Sequence, residues 1–77
     1  MAERPAEFSI DIPLTEAMLT QSFGVFRQEC LAQVYAACAT YCGIAESALN
    51  VTRAEVRLKT LPLREFADVT LWLEWED

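Results

Sequence analysis

The chain has no histidine, two glycines and three prolines, and its twelve aspartates and glutamates outnumber its six lysines and arginines. The absence of histidine removes the commonest general acid–base group and metal ligand of proteins. Two glycines far apart in the sequence cannot build the glycine-rich loop that holds phosphate groups. A core built from 77 residues is also too small to enclose much of a substrate. We therefore predict that the protein is not an enzyme and uses no cofactor.

The scarcity of basic residues gives a formal net charge of −6 and an isoelectric point near 4.4. Proteins that bind nucleic acid neutralise its phosphates with lysine and arginine, so this balance opposes direct contact with DNA or RNA. It favours a basic protein surface as the partner. The alternative is that the negative charge only keeps a small chain with 53% hydrophobic residues soluble.

Charge is missing altogether between Cys30 and Ala45. A helix without charge on any side is expected to contact protein on more than one side. The stretch is too short to cross a bilayer, which takes about 20 apolar residues, and it contains Gln33 and Thr40. The N-terminal segment has no apolar run of the kind found in signal peptides. We therefore expect a cytoplasmic protein without membrane contact, folded as a single domain over residues 1–77.

Three cysteines, Cys30, Cys38 and Cys42, lie within this one stretch. A disulfide framework usually joins distant segments, so we expect reduced thiols in a cytosolic protein. Cys38 and Cys42 are about 40° apart around a helix and could offer two sulfurs to zinc. No histidine or further ligand set completes a tetrahedral site. We predict that all three cysteines are buried as small hydrophobic residues and that there is no metal site.

One long helix is predicted over residues 16–42. Thr15 has the position of its N-cap and Gly43 the position that follows its last turn. Apolar residues recur at helical spacing and form a stripe that we expect to pack on a sheet: Leu19, Phe23, Phe26, Cys30, Val34, Ala37 and Tyr41.

Three segments alternate between apolar and polar residues and are predicted strands: 7–13, 51–60 and 66–76. The last two are joined by residues 61–65 and form a hairpin. The last strand has the most apolar sequence and is placed in the middle of the sheet. The predicted fold is α+β, in the order β-α-β-β, with one long helix packed on a three-stranded antiparallel sheet of order 1-3-2.

The alternation assigns one side of each strand to the core. These inward residues are Phe8, Ile10 and Ile12, then Thr52, Ala54, Val56 and Leu58, and finally Val69, Leu71, Leu73 and Trp75. For the hairpin we predict a register with three facing pairs on the outer side, Lys59 with Asp68, Arg53 with Glu74 and Glu55 with Trp72. Other registers of the same parity are alternatives. This register gives most of the basic residues a local partner.

The first candidate site is acidic, because the carboxylates of the first and last strands gather if those strands are neighbours. It consists of Glu7, Asp11, Asp68, Glu74, Glu76 and Asp77. General acid–base chemistry needs a carboxyl group in a dry pocket, and calcium or magnesium needs a loop of oxygen ligands, neither of which this pattern provides. We interpret the group as a contact surface for a basic partner, with mimicry of a phosphate backbone as the sharper hypothesis. A solvated acidic face is the alternative.

The second candidate is Trp72, which is predicted to lie on the polar side of the central strand. Exposed aromatic residues are typical anchors of interfaces. The alternative is that its ring lies over Arg53, Arg57 or Leu63 within the sheet.

The third candidate is the side of the predicted helix that faces away from the sheet, a candidate face for a homodimer. Its residues are mostly small and uncharged, so that another helix could approach closely: Gln21, Val25, Gln28, Ala32, Ala36 and Ala39. The alternative is an alanine-rich solvent face that only favours helix formation.

Small size, acidity and a compact α+β make-up together resemble phage-encoded anti-CRISPR proteins, some of which imitate DNA. The resemblance covers the whole chain and rests on composition, without a motif that assigns residues. It implies an inhibitor in the host cytoplasm that occupies the basic groove of a complex handling nucleic acid. Two alternatives stay open: a homo-oligomeric structural or regulatory subunit that uses the uncharged helix face, and an antitoxin-like adaptor that masks a basic protein.

Overall fold

The computed structural model describes residues 3–61 and 64–75, without the side chains of Leu61 and Arg64. Its elements are β1 (Glu7–Pro13), α1 (Glu16–Leu19), α2 (Phe23–Cys42), a 3₁₀ turn (Glu46–Ala48), β2 (Val51–Leu61) and β3 (Arg64–Leu73). Leu63, named as a neighbour of Trp72, and Glu76 and Asp77 of the acidic candidate site lie outside the described residues.

The three strands form one sheet of order β1-β3-β2, and both strand pairs are antiparallel. The predicted α+β fold, its element order and its strand order are confirmed. The core lies between α2 and one side of this sheet. The inner row of β3 is fully covered, since Ala67, Val69, Leu71 and Leu73 are all buried.

The single helix predicted over residues 16–42 is wrong, because the chain leaves the helical conformation between α1 and α2. Thr15 caps α1 as predicted, with its Oγ1 accepting a hydrogen bond from Met18 N at 3.3 Å. Ser22 starts a second helix, and its Oγ accepts from Val25 N at 3.4 Å. Short polar side chains such as these compete for backbone groups and favour helix ends over helix interiors. The 20 residues of α2 span about 30 Å.

The predicted end of the helix at Gly43 is confirmed. Gly43 has a φ of 71°, a left-handed conformation that glycine adopts without steric cost. Its N–H donates to Thr40 O at 3.3 Å, and the next N–H, that of Ile44, donates to Ala39 O at 3.1 Å. This pair of bonds is the Schellman motif, and Ile44 packs against the core as the motif favours.

The predicted sheet-facing stripe of the helix is wrong at both ends. The buried row of α2 advances in steps of four, through Phe26, Cys30, Val34, Cys38 and Cys42. Each step of four turns the row about 40° around the helix, so the row runs obliquely and can follow the twist of a sheet. Three residues at the ends of the predicted stripe are more than half exposed: Leu19, Phe23 and Tyr41. Ala37, in its middle, is partly buried.

The predicted hairpin register is displaced by two residues. In the structure Arg53 faces Trp72, Arg57 faces Asp68 and Lys59 faces Phe66. The strands continue into the segment that was predicted to connect them, so that Leu61 faces Arg64. A displacement of two preserves the side to which each residue points, which is why the predicted inner and outer rows of β2 are kept from Arg53 onward. An irregularity between Val51 and Arg53 interrupts the register at Thr52, whose Oγ1 donates to Trp72 O at 3.3 Å.

Leu58 of the predicted inner row of β2 is exposed. Neighbouring strands are about 4.8 Å apart, so three strands are about 14 Å wide, whereas an α-helix with its side chains is about 10–12 Å wide. One helix therefore does not cover three strands fully. The predicted inward position of Thr52 is wrong, because the irregularity in the register places Val51 opposite the inward Leu73 and leaves Thr52 exposed. Trp75 is partly buried against the core as predicted, although β3 has ended at Leu73. Its indole Nε1 donates to Pro5 O at 2.8 Å.

Candidate functional site: the outer face of the sheet

The side of the sheet opposite α2 carries four of the predicted site residues: Glu7, Asp11, Asp68 and Trp72. Its side chains form four rows, each written in the order β1, β3, β2: Glu7, Trp72, Arg53; Ser9, Thr70, Glu55; Asp11, Asp68, Arg57; and Pro13, Phe66, Lys59. Alternation along each strand places these residues on one face. The charges at its two edges differ, because β1 contributes two carboxylates, whereas β2 contributes three cations and one carboxylate.

Each of the three cations of β2 forms an ion pair within the sheet, and two of them share one carboxylate. Glu55 lies between two arginines, with Arg57 Nε at 2.7 Å from its Oε1 and Arg53 Nη2 at 3.3 Å from its Oε2. The hydrogen bond from Arg57, followed by the positive charge of both arginines, lowers the pKa of the Glu55 carboxyl group. Lys59 Nζ reaches diagonally to Asp68 Oδ2 at 3.2 Å, so these residues pair although they do not face each other.

The carboxylates of β1 are different. Glu7 and Asp11 are exposed, and no ion pair joins either of them to a cation in the part of the chain that the structure describes. They are four positions apart, a distance of about 13 Å along β1. β1 pairs only with β3 among the described residues, so these two carboxylates line a free edge of the sheet.

The other described members of the acidic candidate site have separate environments. Asp68 faces Asp11 across β1 and β3, but its carboxylate is held by Lys59 from the opposite side. Glu74 is exposed just beyond the end of β3, where its N–H donates to Asn50 O at 2.9 Å. The structure thus brings Glu7 and Asp11 onto one strand and leaves Asp68 shared with the cationic side.

Trp72 lies in the first row of the outer face, between Glu7 and Arg53, and is partly buried. The guanidinium carbon of Arg53 is 4.7 Å from the centre of the indole ring. This is the geometry of a cation–π contact, in which the positive charge meets the negative face of the ring. Of the two interpretations of Trp72, the structure contains the one in which it lies against Arg53.

The predicted outer side of the helix is only partly an outer surface. Val25, Gln28, Ala32 and Ala36 are exposed, in agreement with the prediction. Two other predicted members, Ala39 and Gln21, do not belong to this face.

Ala39 is 7% exposed, because the Schellman turn folds the chain back so that Ile44 packs beside the helix end. Gln21 precedes α2 and is not part of its surface. Its Nε2 donates to Glu29 Oε1 at 2.9 Å, which ties the connection between the helices to the first turns of α2.

Sequence reasoning missed an apolar groove at the junction of α1 and α2. The groove has a volume of about 150 Å³ and is lined by Met18, Leu19, Gln21, Phe23, Phe26 and Leu58. Leu19, Phe23 and Leu58 were each predicted to be covered, by the sheet or by the helix, and each is more than half exposed. The signal that could have indicated it was the polar sequence Thr20-Gln21-Ser22, which interrupts the helix next to these residues.

The three cysteines are buried free thiols, as predicted. The Sγ atoms of Cys38 and Cys42 are 4.0 Å apart. Burial in the apolar core, followed by the charge of Cys42, raises the pKa of the Cys38 thiol to about 11, and burial also raises the pKa of Cys30. The thiols of Cys30 and Cys38 are therefore protonated at neutral pH and are poor nucleophiles. No group of three metal-binding side chains occurs within residues 3–61 and 64–75.

No protein-family model, curated protein or solved structure matches this chain. Among the helices of the described residues, none has the length and apolar character needed to span a membrane.

Proposed function

We propose that this chain is a small acidic binding protein without enzymatic activity, which occupies a basic surface of a protein complex that handles nucleic acid. In this role it inhibits the complex, as the resemblance to anti-CRISPR proteins implies, and its carboxylates take the place of nucleic-acid phosphates.

The observation that supports the proposal is the separation of charge across the outer face. The cations of this face are already paired, with Glu55 and Asp68, whereas Glu7 and Asp11 have no cation of their own among the described residues. A partner that brings lysine or arginine to β1 gains new ion pairs there without breaking existing ones. Repulsion from the net charge of −6 disfavours nucleic acid itself as that partner.

The exposed charges of Glu7 and Asp11 should act mainly on the rate at which this protein and its partner meet. Exposed carboxylates attract a basic surface over a distance of about one Debye length, roughly 8–10 Å at physiological salt. They contribute less to the lifetime of the complex, which depends on buried contacts. We therefore expect binding that weakens strongly as ionic strength rises from low to physiological values.

The test is an affinity capture with matched variants. In the first, Glu7→Gln and Asp11→Asn remove both charges of β1 while keeping the side-chain shapes. In the control, Glu16→Gln and Glu46→Gln remove two exposed charges that lie outside the sheet. We expect the wild-type protein and the control to retain the same nucleic-acid-binding protein from bacterial extracts, and the β1 variant to lose at least about tenfold in affinity for it.

The functional measurement uses this protein and the captured protein after both are purified. It tests whether this protein competes with nucleic acid for the captured protein, since an inhibitor that mimics phosphates must do so. Capture of no nucleic-acid-binding protein by the wild type would refute the proposal. Equal capture by the β1 variant would refute the role of Glu7 and Asp11.

A further inference from the structure

The free edge of β2 is the longest unpaired strand edge of the described sheet. β2 has 11 residues, Val51–Leu61, and pairs only with β3 on one side. Such an edge presents a row of unpaired N–H and C=O groups on which another strand can add. β1 presents a shorter edge of seven residues that ends in Pro13.

The inner side of β2 is also incompletely covered. Ala54 and Val56 are half-buried, whereas Leu58 is 58% exposed although it points to the same side as the core. A fourth strand beside β2 would carry side chains next to this row and would cover Leu58 from the open side.

We propose that two copies of this chain pair through β2, antiparallel and about a two-fold axis that passes between the two Val56 residues, to form a six-stranded sheet. In this register Ala54 faces Leu58 of the second copy, so that the exposed leucine lies over a small side chain. On the outer face Glu55 faces Arg57 of the second copy. Each of these pairs occurs twice, because the interface is symmetric.

Charge favours this register over the two nearest registers in which the same side chains point to the core side of the sheet. A displacement by two residues in one direction places Glu55 opposite Glu55 of the second copy, and in the other direction Arg57 opposite Arg57. Like charges that face each other directly across strands are destabilising. In the proposed register the like-charged pair is Arg53 with Lys59 of the second copy, and both of these already have a carboxylate, Glu55 and Asp68 respectively.

Charge also selects β2 over β1 as the edge that pairs. Three of the six basic residues of the chain lie on β2, which makes it the place where two chains of net charge −6 repel each other least. Pairing through β1 would instead bring together two copies of an edge with unpaired carboxylates. The dimer leaves both β1 edges free, so the inference does not depend on the proposed function.

The test is sedimentation equilibrium of the full chain from micromolar to millimolar concentration. We expect a monomer–dimer equilibrium. Leu58→Lys, which changes a side chain exposed in the monomer, should weaken the dimer at least about tenfold, because it puts two ammonium groups into the interface. Val25→Lys is the matched control, since Val25 is 46% exposed but lies on α2, outside the groove that Leu58 lines.

A charge exchange checks the register. Arg57→Glu alone should weaken the dimer, and adding Glu55→Arg should restore it, because the exchanged pair faces the second copy in the same way. Circular dichroism confirms that each variant is folded.

Three results would overturn the proposal: a monomer at every concentration, an equal loss of dimer in Leu58→Lys and Val25→Lys, or a mass that keeps growing beyond the dimer. The outcome is separable from that of the proposed function. The Glu7→Gln, Asp11→Asn variant should remain dimeric, and the Leu58→Lys monomer should retain the basic partner.

Discussion

Leu71 and Leu58 point to the same side of the sheet from adjacent strands, yet Leu71 is 0% exposed and Leu58 is 58% exposed. The covered strand, β3, lies beneath α2, whereas the uncovered strand, β2, extends beyond the width of a single helix. Alternation along a strand thus decides to which side of the sheet a side chain points. Whether that side chain is buried depends on how many strands the helix covers.

The largest expected effect is a loss of stability, and it is tested with variants of these two leucines. Leu71→Ala should lower the free energy of unfolding by about 2–5 kcal/mol, because it removes apolar contacts and leaves a cavity in the core. Leu58→Ala should change it by less than about 0.5 kcal/mol in the monomer. Chemical denaturation at low protein concentration measures both. Similar losses for the two variants would mean that β2 is as well covered as β3.

A second test measures how completely α2 and β3 exclude water around Cys38. Its thiol pKa is raised from 9.0 to about 11 by burial, so the unfolded chain loses this proton at lower pH than the folded chain does. The associated stability is fully present below pH 9 and is lost as the pH rises to about 11. We expect the free energy of unfolding to fall by up to about 3 kcal/mol over this range.

Cys38→Ala is the control for this measurement. It should flatten the alkaline decline, apart from the part that the tyrosines and other thiols contribute. If the variant declines as steeply as the wild type, the Cys38 thiol is not shielded as its burial implies.

The smallest test compares the two ends of α2. Gly43→Ala forces a side chain into the left-handed conformation at φ 71° and should cost about 1–2 kcal/mol. Gly24 lies in the exposed first turn, and a Cβ added there meets nothing within 4 Å. Gly24→Ala should therefore stabilise the protein by up to about 1 kcal/mol. Thermal unfolding of the two variants should show shifts of opposite sign, and shifts of the same sign would contradict this account of the helix ends.

Much of the fold could be predicted because local signals agreed with one another. The alternation from Glu7 to Pro13, the cap at Thr15 and the glycine at Gly43 each appear in the structure where the pattern put them. The break between α1 and α2 was missed because apolar spacing continues through Leu19 and Phe23. The spacing of apolar residues carries no information about a second N-cap residue such as Ser22.

The candidate site was harder to predict, because it depends on which strand pairs with which and in what register. Strand order placed Glu7 and Asp11 on a free edge beside β3, and this followed from the apolar sequence of β3. The pairing of Glu55 with both arginines was missed for another reason: it joins residues two positions apart on β2 itself, whereas the prediction considered only pairs across strands. The residues that face each other across the hairpin depend on a register displaced by two residues, which the longer strands impose. The groove beside Leu58 forms because one helix does not cover the whole sheet. The spacing of apolar residues along the sequence carries no information about that.

The central strand, β3, comes after both of its neighbours in the chain. While a ribosome is making this protein, β1 and β2 therefore have no backbone partner until β3 has left the exit tunnel. We expect the sheet to form late in synthesis, because a nascent chain stopped before Arg64 lacks the strand with which both β1 and β2 pair.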